Sequence, residues 1–468
     1  MRPVMSSRPS WTTLPRKSDA RGGRPGRRGR PQGRRRGNTP EFREPARVTV
    51  TAVAAQGDGL ADLADGRRLF IPFAAPGDEV EVLIGPSRGD GFEARIETFV
   101  ARGPRAEPFC AHFETCGGCS VQHLSEANYH AWKRGILVQA LARRGLHPEV
   151  GEIEALPRDG RRRVTFQAMG TVKGAILGFA QRRGHHLIDL DACPLVRPEL
   201  NALLAPLRAV LAGLLESGER ARIALARVEG PEGPAIDMVV ERDREPDLAA
   251  REALADFARD QGLARLSWRD ADGHCEPVAH LSPVAATFGP APVDLPPGGF
   301  MQPTTAGEEI LRRAVLAGAE GAERIVELYA GAGTFTMALA KGRHVHAVDA
   351  DDALTRALAG SAGRAGLGGR ISAETRDLAA RPLLASELKE ADTAVLDPPR
   401  AGAKAQVAEI IGAANIRRVV MVSCNPQTFA RDLSLLTDGG FELAGPVTPV
   451  DQFPWSHHLE CVAVLTRA

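Results

Sequence analysis

Between Arg324 and Cys424 short, nearly all-apolar runs alternate with helical segments, and no other feature narrows the fold of this chain as much. The runs HVHAVD, TAVLD and RVVMVSC read as buried strands, and RIVELYAGAGTF as a strand, a glycine-bearing turn and the start of a helix. Buried parallel strands need crossover helices, so the segment predicts a doubly wound, Rossmann-like α/β domain. The Pro/Gly-rich break APVDLPPGGF precedes it, which sets the domain at residues 296–468.

The rest of the 468 residues leaves room for further domains. From Arg47 to about Arg105, alternating runs such as VTVTAV and EVEVLIG are punctuated by glycines, the pattern of a small OB-like β-barrel over 46–105. Mixed strands and helices follow over 106–295, a central α+β domain with an amphipathic helix around Tyr129 to Arg144. Residues 1–47 hold 14 Lys or Arg against 3 acids, leaving 45 bases against 55 acids elsewhere. Arg24 to Arg36, RPGRRGRPQGRRR, has nothing apolar to offset ordering entropy, so residues 1–45 read as a disordered arm. Such an arm either binds an anionic partner or keeps the protein in solution. No apolar run is long enough for a membrane span and no secretory signal opens the chain, so a cytoplasmic protein without membrane contact is expected. Seven unevenly spaced cysteines then favour metal or catalytic use over disulfides.

At the carboxyl end of the first strand, the small residues Ala330, Gly331, Ala332 and Gly333 let a ligand approach the backbone. Asp349 closes the next strand 18 positions after Gly331, where an acid accepts hydrogen bonds from ribose hydroxyls. Thr336 stands where a dinucleotide fingerprint has its third glycine, so S-adenosylmethionine is favoured over a dinucleotide. Asp397, in DPPR, follows the strand TAVL at the same edge and is placed to read a planar base. Cys424, in SCNP, ends the next strand beside the cofactor crevice, where a thiolate is a strong nucleophile.

The blocks GAILGFAQRRGHHLIDLDACPL, FMQP, ELYAGAGTFT, VLDPPRAG, VSCNPQTFARDL and VDQFPWSHHLE closely resemble the RNA uracil-5-methyltransferases. The match is to the 23S ribosomal branch with an N-terminal TRAM domain and an iron-sulfur cluster, and it covers about residues 45–468. The resemblance implies that Cys424 adds to carbon 6 of uracil, that carbon 5 then takes a methyl group, and that Glu460 removes the carbon-5 proton. It also implies that Gln302, Tyr329, Asp349 and Asp397 line the cofactor and base pocket. The target uridine must leave its stack to reach them. Two positions depart from the family pattern: Thr304 stands where FxQxN has asparagine, and Gly160 stands where a tyrosine usually precedes the Arg run.

Cys110, Cys116, Cys119 and, 74 residues on, Cys193 supply four thiolates, which suit either tetrahedral zinc or a four-iron cluster. The resemblance favours [4Fe-4S] in a structural or RNA-contacting role. Cys275 and Cys461 read as ordinary small apolar residues. The expected protein is therefore a monomeric methyltransferase acting on 23S rRNA. A tRNA T-loop enzyme and a non-catalytic RNA-folding or ribosome-assembly factor are the competing readings, and intact Cys424 and Glu460 argue against the latter.

Deleting residues 1–45 is expected to weaken RNA binding while leaving turnover at saturating RNA nearly unchanged. The log-log salt slope should fall by about 0.7–0.9 for each phosphate that the arm no longer neutralises. An unchanged slope in a salt titration would assign the arm to solubility.

Overall fold

The computed structural model describes residues 42–154 and 156–467. The Arg-rich arm lies outside these residues up to Glu41. Three main sheets follow one another along the chain.

The first has six strands, with Glu44–Thr49 at one end of the pairing order and Ala52–Val53 at the other. Only two residues separate those edge strands, so one continuous run belongs to both edges and closes the sheet on itself. Val50 donates its N–H to the carbonyl of Asp78, and Thr51 donates to that of Leu60, sealing the seam. Val48, Leu69, Ile71, Val80 and Val82 alternate inward to fill the barrel.

Seven strands form the second sheet, mostly antiparallel. Its one parallel pair, Gly233–Glu241 with Arg265–Arg269, is joined through helix Leu248–Asp260, as a parallel pair requires. That helix and Leu204–Leu214 cover one face. The barrel is tied to this sheet by Asp58, which is fully buried and takes hydrogen bonds from Arg88 (2.6 Å), Arg182 (2.7 Å) and Arg183. Burial alone would raise its carboxyl, but the Arg88 hydrogen bond and the three guanidinium charges outweigh it and hold Asp58 below the usual carboxylate range.

The third sheet confirms the doubly wound expectation. Ile371–Thr375, His344–Asp349, Arg324–Leu328, Thr393–Leu396 and Arg418–Ser423 lie side by side and parallel, in that spatial order. The strands read as apolar throughout because both faces are buried. Ile325, Val345, Val395, Val420 and Val422 enter one core, whereas Val326, Val348, Leu396, Val419 and Met421 enter the other. Beyond them Glu460–Thr466 runs antiparallel to Arg418–Ser423. The helix expected after the glycine turn is a single turn, Thr336–Leu339. The helix foreseen around Tyr129 covers Glu126–Ala142, and its Leu137, Ala140 and Leu141 pack into the second core of this third sheet. Among the described residues no helix is long and apolar enough to cross a membrane.

Asp58→Ala would leave three arginines facing one another at the barrel junction. A loss of about 3 kcal/mol, the low end for breaking a buried ion pair because Arg183 keeps contact with water, is expected in denaturant unfolding. An unchanged midpoint would show that apolar contacts alone hold the barrel.

Candidate active site

In an open parallel sheet, ligands sit beyond the carboxyl ends of the strands, where the strand order reverses. Here Arg324–Leu328 has His344–Asp349 on one side and Thr393–Leu396 on the other. The residues leaving these ends are Tyr329, Asp349 and Asp397, with Cys424 leaving the next strand, so the topology gathers the sequence candidates along one edge. Glu460 joins them for a different reason. Its strand runs the opposite way, with Cys461 opposite Ser423, so the strand starts where its neighbour ends and Glu460 stands next to Cys424.

The turn after Leu328 is built for close approach. Tyr329, Gly331 and Gly333 all have positive φ, at 65°, 56° and 91°. A Cβ on Gly333 would come within 2.5 Å of Leu358 Cδ1, whereas one on Gly331 would face open space. Asp349 pins the turn by accepting the Gly331 N–H at 2.8 Å on one oxygen and the Asp351 N–H at 2.9 Å on the other. Each carboxylate oxygen keeps a second acceptor site, so ribose hydroxyls remain compatible with these bonds. Burial pushes the Asp349 carboxyl above its ordinary value despite them.

Asp397 is held from the side by Gln302, whose amide donates to its Oδ2 at 3.1 Å. Gln302 is itself buried and accepts from Gln452 at 2.9 Å. Burial pushes Asp397 up to about 7, the Gln302 hydrogen bond opposing and the Asp349 charge adding. Beneath the crevice Glu327 is buried and pushed up to about 8, by desolvation first and by the charges of Asp397 and Asp349, with the Thr336 hydroxyl, itself without a partner at hydrogen-bond distance, opposing. Its Oε2 has no hydrogen-bond partner.

Thr304 is accounted for locally. It caps helix Thr305–Gly318, accepting the Gly307 N–H at 3.0 Å, and its hydroxyl reaches Gln452 at 3.4 Å. The Gln302 loop is anchored by Arg162, which donates to the Gln302 carbonyl at 3.1 Å and to Glu308. Arg162 sits two residues after Gly160, so the anchor comes from the Arg run and not from the departing position.

Cys424 is half-buried, and its thiol is pushed up to about 12 by burial, then by the charges of Glu460 and Asp397, against a lowering by Arg400. Glu460 is buried and raised well above the usual carboxylate range, by desolvation and by Asp397. The DPPR and SCNP loops are stitched together. Asn425 and Thr428 both donate to the Arg400 carbonyl, at 2.9 and 3.2 Å, and the Arg400 guanidinium lies 2.6 Å from His458 Nδ1. Burial, then the charges of His457 and Arg400, drives His458 down to about 3 and leaves it neutral.

Comparison with known proteins matches this architecture end to end. Residues 43–88 match the TRAM domain, and residues 383–468 match the tRNA (uracil-5-)-methyltransferase family profile. The chain is 38% identical over 426 residues to an RNA methyltransferase of Rhizobium meliloti, covering 90% of this chain and 99% of that one. It is 33% identical over 435 residues to the 23S rRNA (uracil(1939)-C(5))-methyltransferase of Chromohalobacter salexigens, covering 90% and 89%. The chain belongs to the RNA uracil-5-methyltransferase family. The fold of this family member is shared with the Pyrococcus abyssi tRNA (uracil-54, C5)-methyltransferase, solved with S-adenosyl-L-homocysteine, at a TM-score of 0.65 and 22% identity over 90% of this chain and 99% of that one.

The four cysteines come from two places. Cys110, Cys116 and Cys119 lie in one loop, docked on the central sheet by a bridge from Cys116 to Gln181 and a 2.9 Å bond from Gly117 N–H to the Ala180 carbonyl. Asn201 holds Cys193 by accepting its N–H at 2.8 Å. Burial raises Cys116, Cys193 and Cys119, the last to about 12, and charge on neighbouring cysteines of the set adds to each. Among the described residues, however, no group of three or more His, Cys, Asp or Glu stands at metal-holding spacing. The thiols are neighbours without being gathered as a ligand set.

Gln452, Glu327 and Arg400 were not singled out from the sequence, although all three lie in or beside the quoted blocks. Only Glu327, an acid inside an otherwise apolar strand, carried a local signal.

The thiolate is the reactive form, so the raised thiol predicts that alkylation of Cys424 in the free protein climbs about tenfold per pH unit up to roughly pH 10. Peptide mass spectrometry on protein alkylated across that range checks it. Levelling below pH 9 would mean the free site acidifies its cysteine.

Proposed function

We propose that this protein methylates carbon 5 of a uridine in 23S rRNA, using S-adenosylmethionine and a transient bond from Cys424 to carbon 6. The observation that carries the reading is the strand register that sets Glu460 beside Cys424 at the edge holding the glycine turn and Asp349.

The cofactor supplies, when bound, an electrophilic methyl group on a sulfonium. The positive-φ turn with open space at Gly331, the spare acceptor sites of Asp349 and the unpartnered Glu327 Oε2 suit a ligand with a ribose and a cationic end. Gln302 and Tyr329 flank that pocket. Asp397, steadied by Gln302, is placed to meet the polar edge of a uracil.

Cys424 must first give up its proton to solvent, a loss that burial and the neighbouring acids make harder in the free site. The thiolate then bonds to carbon 6 while the ring π electrons move onto carbon 5 and the carbonyl, and carbon 5 becomes the atom able to accept the methyl group. Carbon 5 now carries a proton that blocks release. Glu460 takes it, the C5–H electrons restore the C5–C6 double bond, and the sulfur leaves. A carboxylate with a raised pKa is the stronger base for that step.

The 23S assignment is supported by the 33% identical relative, which bears that substrate in its name. The shared fold of a tRNA enzyme keeps a T-loop uridine as the competing substrate. For the cysteines, the donor set of Cys110, Cys116, Cys119 and Cys193 suits a [4Fe-4S] cluster in its chemistry, although among the described residues it does not stand at metal-holding spacing. Its contribution would be structural, since methyl transfer to carbon 5 involves no change in oxidation state.

Mapping 5-methyluridine in rRNA and tRNA from cells with and without the gene tests the substrate: loss from 23S rRNA supports the proposal, and loss from tRNA alone replaces it. In vitro, Cys424→Ala is expected to abolish methylation with cofactor binding retained. Glu460→Gln is expected to methylate and then stall, leaving RNA attached to protein through denaturing electrophoresis. Normal turnover by either variant would refute its assigned role.

A further inference from the structure

Lys133 is among the largest completely buried side chains of the protein, with 0% of its surface exposed. Helix Glu126–Ala142 carries it. Its ammonium has three donors, and three acceptors meet them: Asp451 Oδ1 at 2.7 Å, the Phe453 carbonyl at 3.1 Å and the His458 carbonyl at 2.6 Å. All three belong to one stretch, residues 451–458, which ends two residues before Glu460. One turn earlier on the same helix face, the Tyr129 hydroxyl donates to the other Asp451 oxygen and accepts the Trp455 N–H at 3.0 Å. The Tyr129 and Trp455 rings stack, with centroids 5.8 Å apart and planes 17° from parallel. Trp455 is at φ 56°, a conformation a bulky side chain adopts only under constraint.

A buried ion pair is a poor way to add stability, because desolvating two charges offsets most of their attraction and an apolar residue of similar size does as well. What this arrangement supplies is geometry. A single cation draws two carbonyls and a carboxylate from separated positions of a loop to one point, and the strand that begins with Glu460 starts from the end of that loop. We infer that Lys133, with Tyr129, is a positioning residue that holds the 451–458 loop so that Glu460 meets the carbon-5 proton. The inference rests on the proposed role of Glu460, and it gives helix Glu126–Ala142 a part in elimination although it lies far from the catalytic segment in sequence.

Lys133→Met and Tyr129→Phe are compared with wild type and Glu460→Gln on a 23S rRNA transcript, with the cofactor labelled in its methyl group. Labelled RNA is counted separately as free product and as RNA attached to denatured protein. Misplacing a group by roughly an ångström costs about a hundredfold or less. Lys133→Met should therefore slow release by about tenfold or more relative to methyl transfer, so that attached labelled RNA accumulates, and Tyr129→Phe should do the same more weakly. A merely structural role would lower methylation and release together and leave no attached RNA. Should Lys133→Met fail to fold, Tyr129→Phe, which keeps the ring stack and removes only the hydroxyl, decides the matter. If Glu460→Gln traps RNA and neither helix variant does, the positioning role is wrong. If Glu460→Gln traps nothing, the assignment of the base fails instead.

Discussion

The antiparallel pairing of Arg418–Ser423 with Glu460–Thr466 is the constraint on which the active site depends. Parallel strands deliver only their carboxyl ends to the crevice, and each is followed by a crossover that carries the chain away. A last strand running the other way brings an amino end to the same edge, so two residues 36 apart in the chain, Cys424 and Glu460, become neighbours through a backbone ladder and not through a flexible loop. The loops beside that edge are tied as well, DPPR to SCNP through the Arg400 carbonyl and the 451–458 loop to helix Glu126–Ala142 through Lys133.

The edge also concentrates acids. Glu327, Asp349, Asp397 and Glu460 are all raised above their ordinary values, chiefly by burial and then by neighbouring acids, Asp397 and Asp349 acting on Glu327, Asp349 on Asp397, Asp397 on Glu460 and Asp351 on Asp349. So many carboxyls without facing cations are costly in a free protein, and the cost falls when a cationic ligand enters. Burial first, and then the charges of Glu460 and Asp397, raise the Cys424 thiol in the same way.

Much of this was legible in the sequence where burial leaves a simple mark. HVHAVD matches the observed strand residue for residue because both faces of the sheet are covered, and the glycines after ELYA fall where φ is positive. The reversal of the final strand was not legible, since ECVAVLT has the same apolar character whichever way it runs. Nor was the packing of helix Glu126–Ala142 against the C-terminal sheet, because its periodicity marks a buried face without naming the partner. Lys133 gave no signal for a related reason: a lysine in a helix usually points to water, and only the fold reveals three acceptors waiting for it. The cysteine set was visible as spacing, and spacing alone suits tetrahedral zinc and a four-iron cluster equally.

RNA carrying 5-fluorouridine at the target position tests the central claim most directly, because fluorine on carbon 5 cannot be removed as a proton. Wild-type protein incubated with that RNA and S-adenosylmethionine should form a complex that survives denaturation, and proteolysis should yield a methylated fluoronucleotide bonded to Cys424. Methylation of the fluorinated RNA with no attachment to protein, or attachment at any other side chain, would contradict the account.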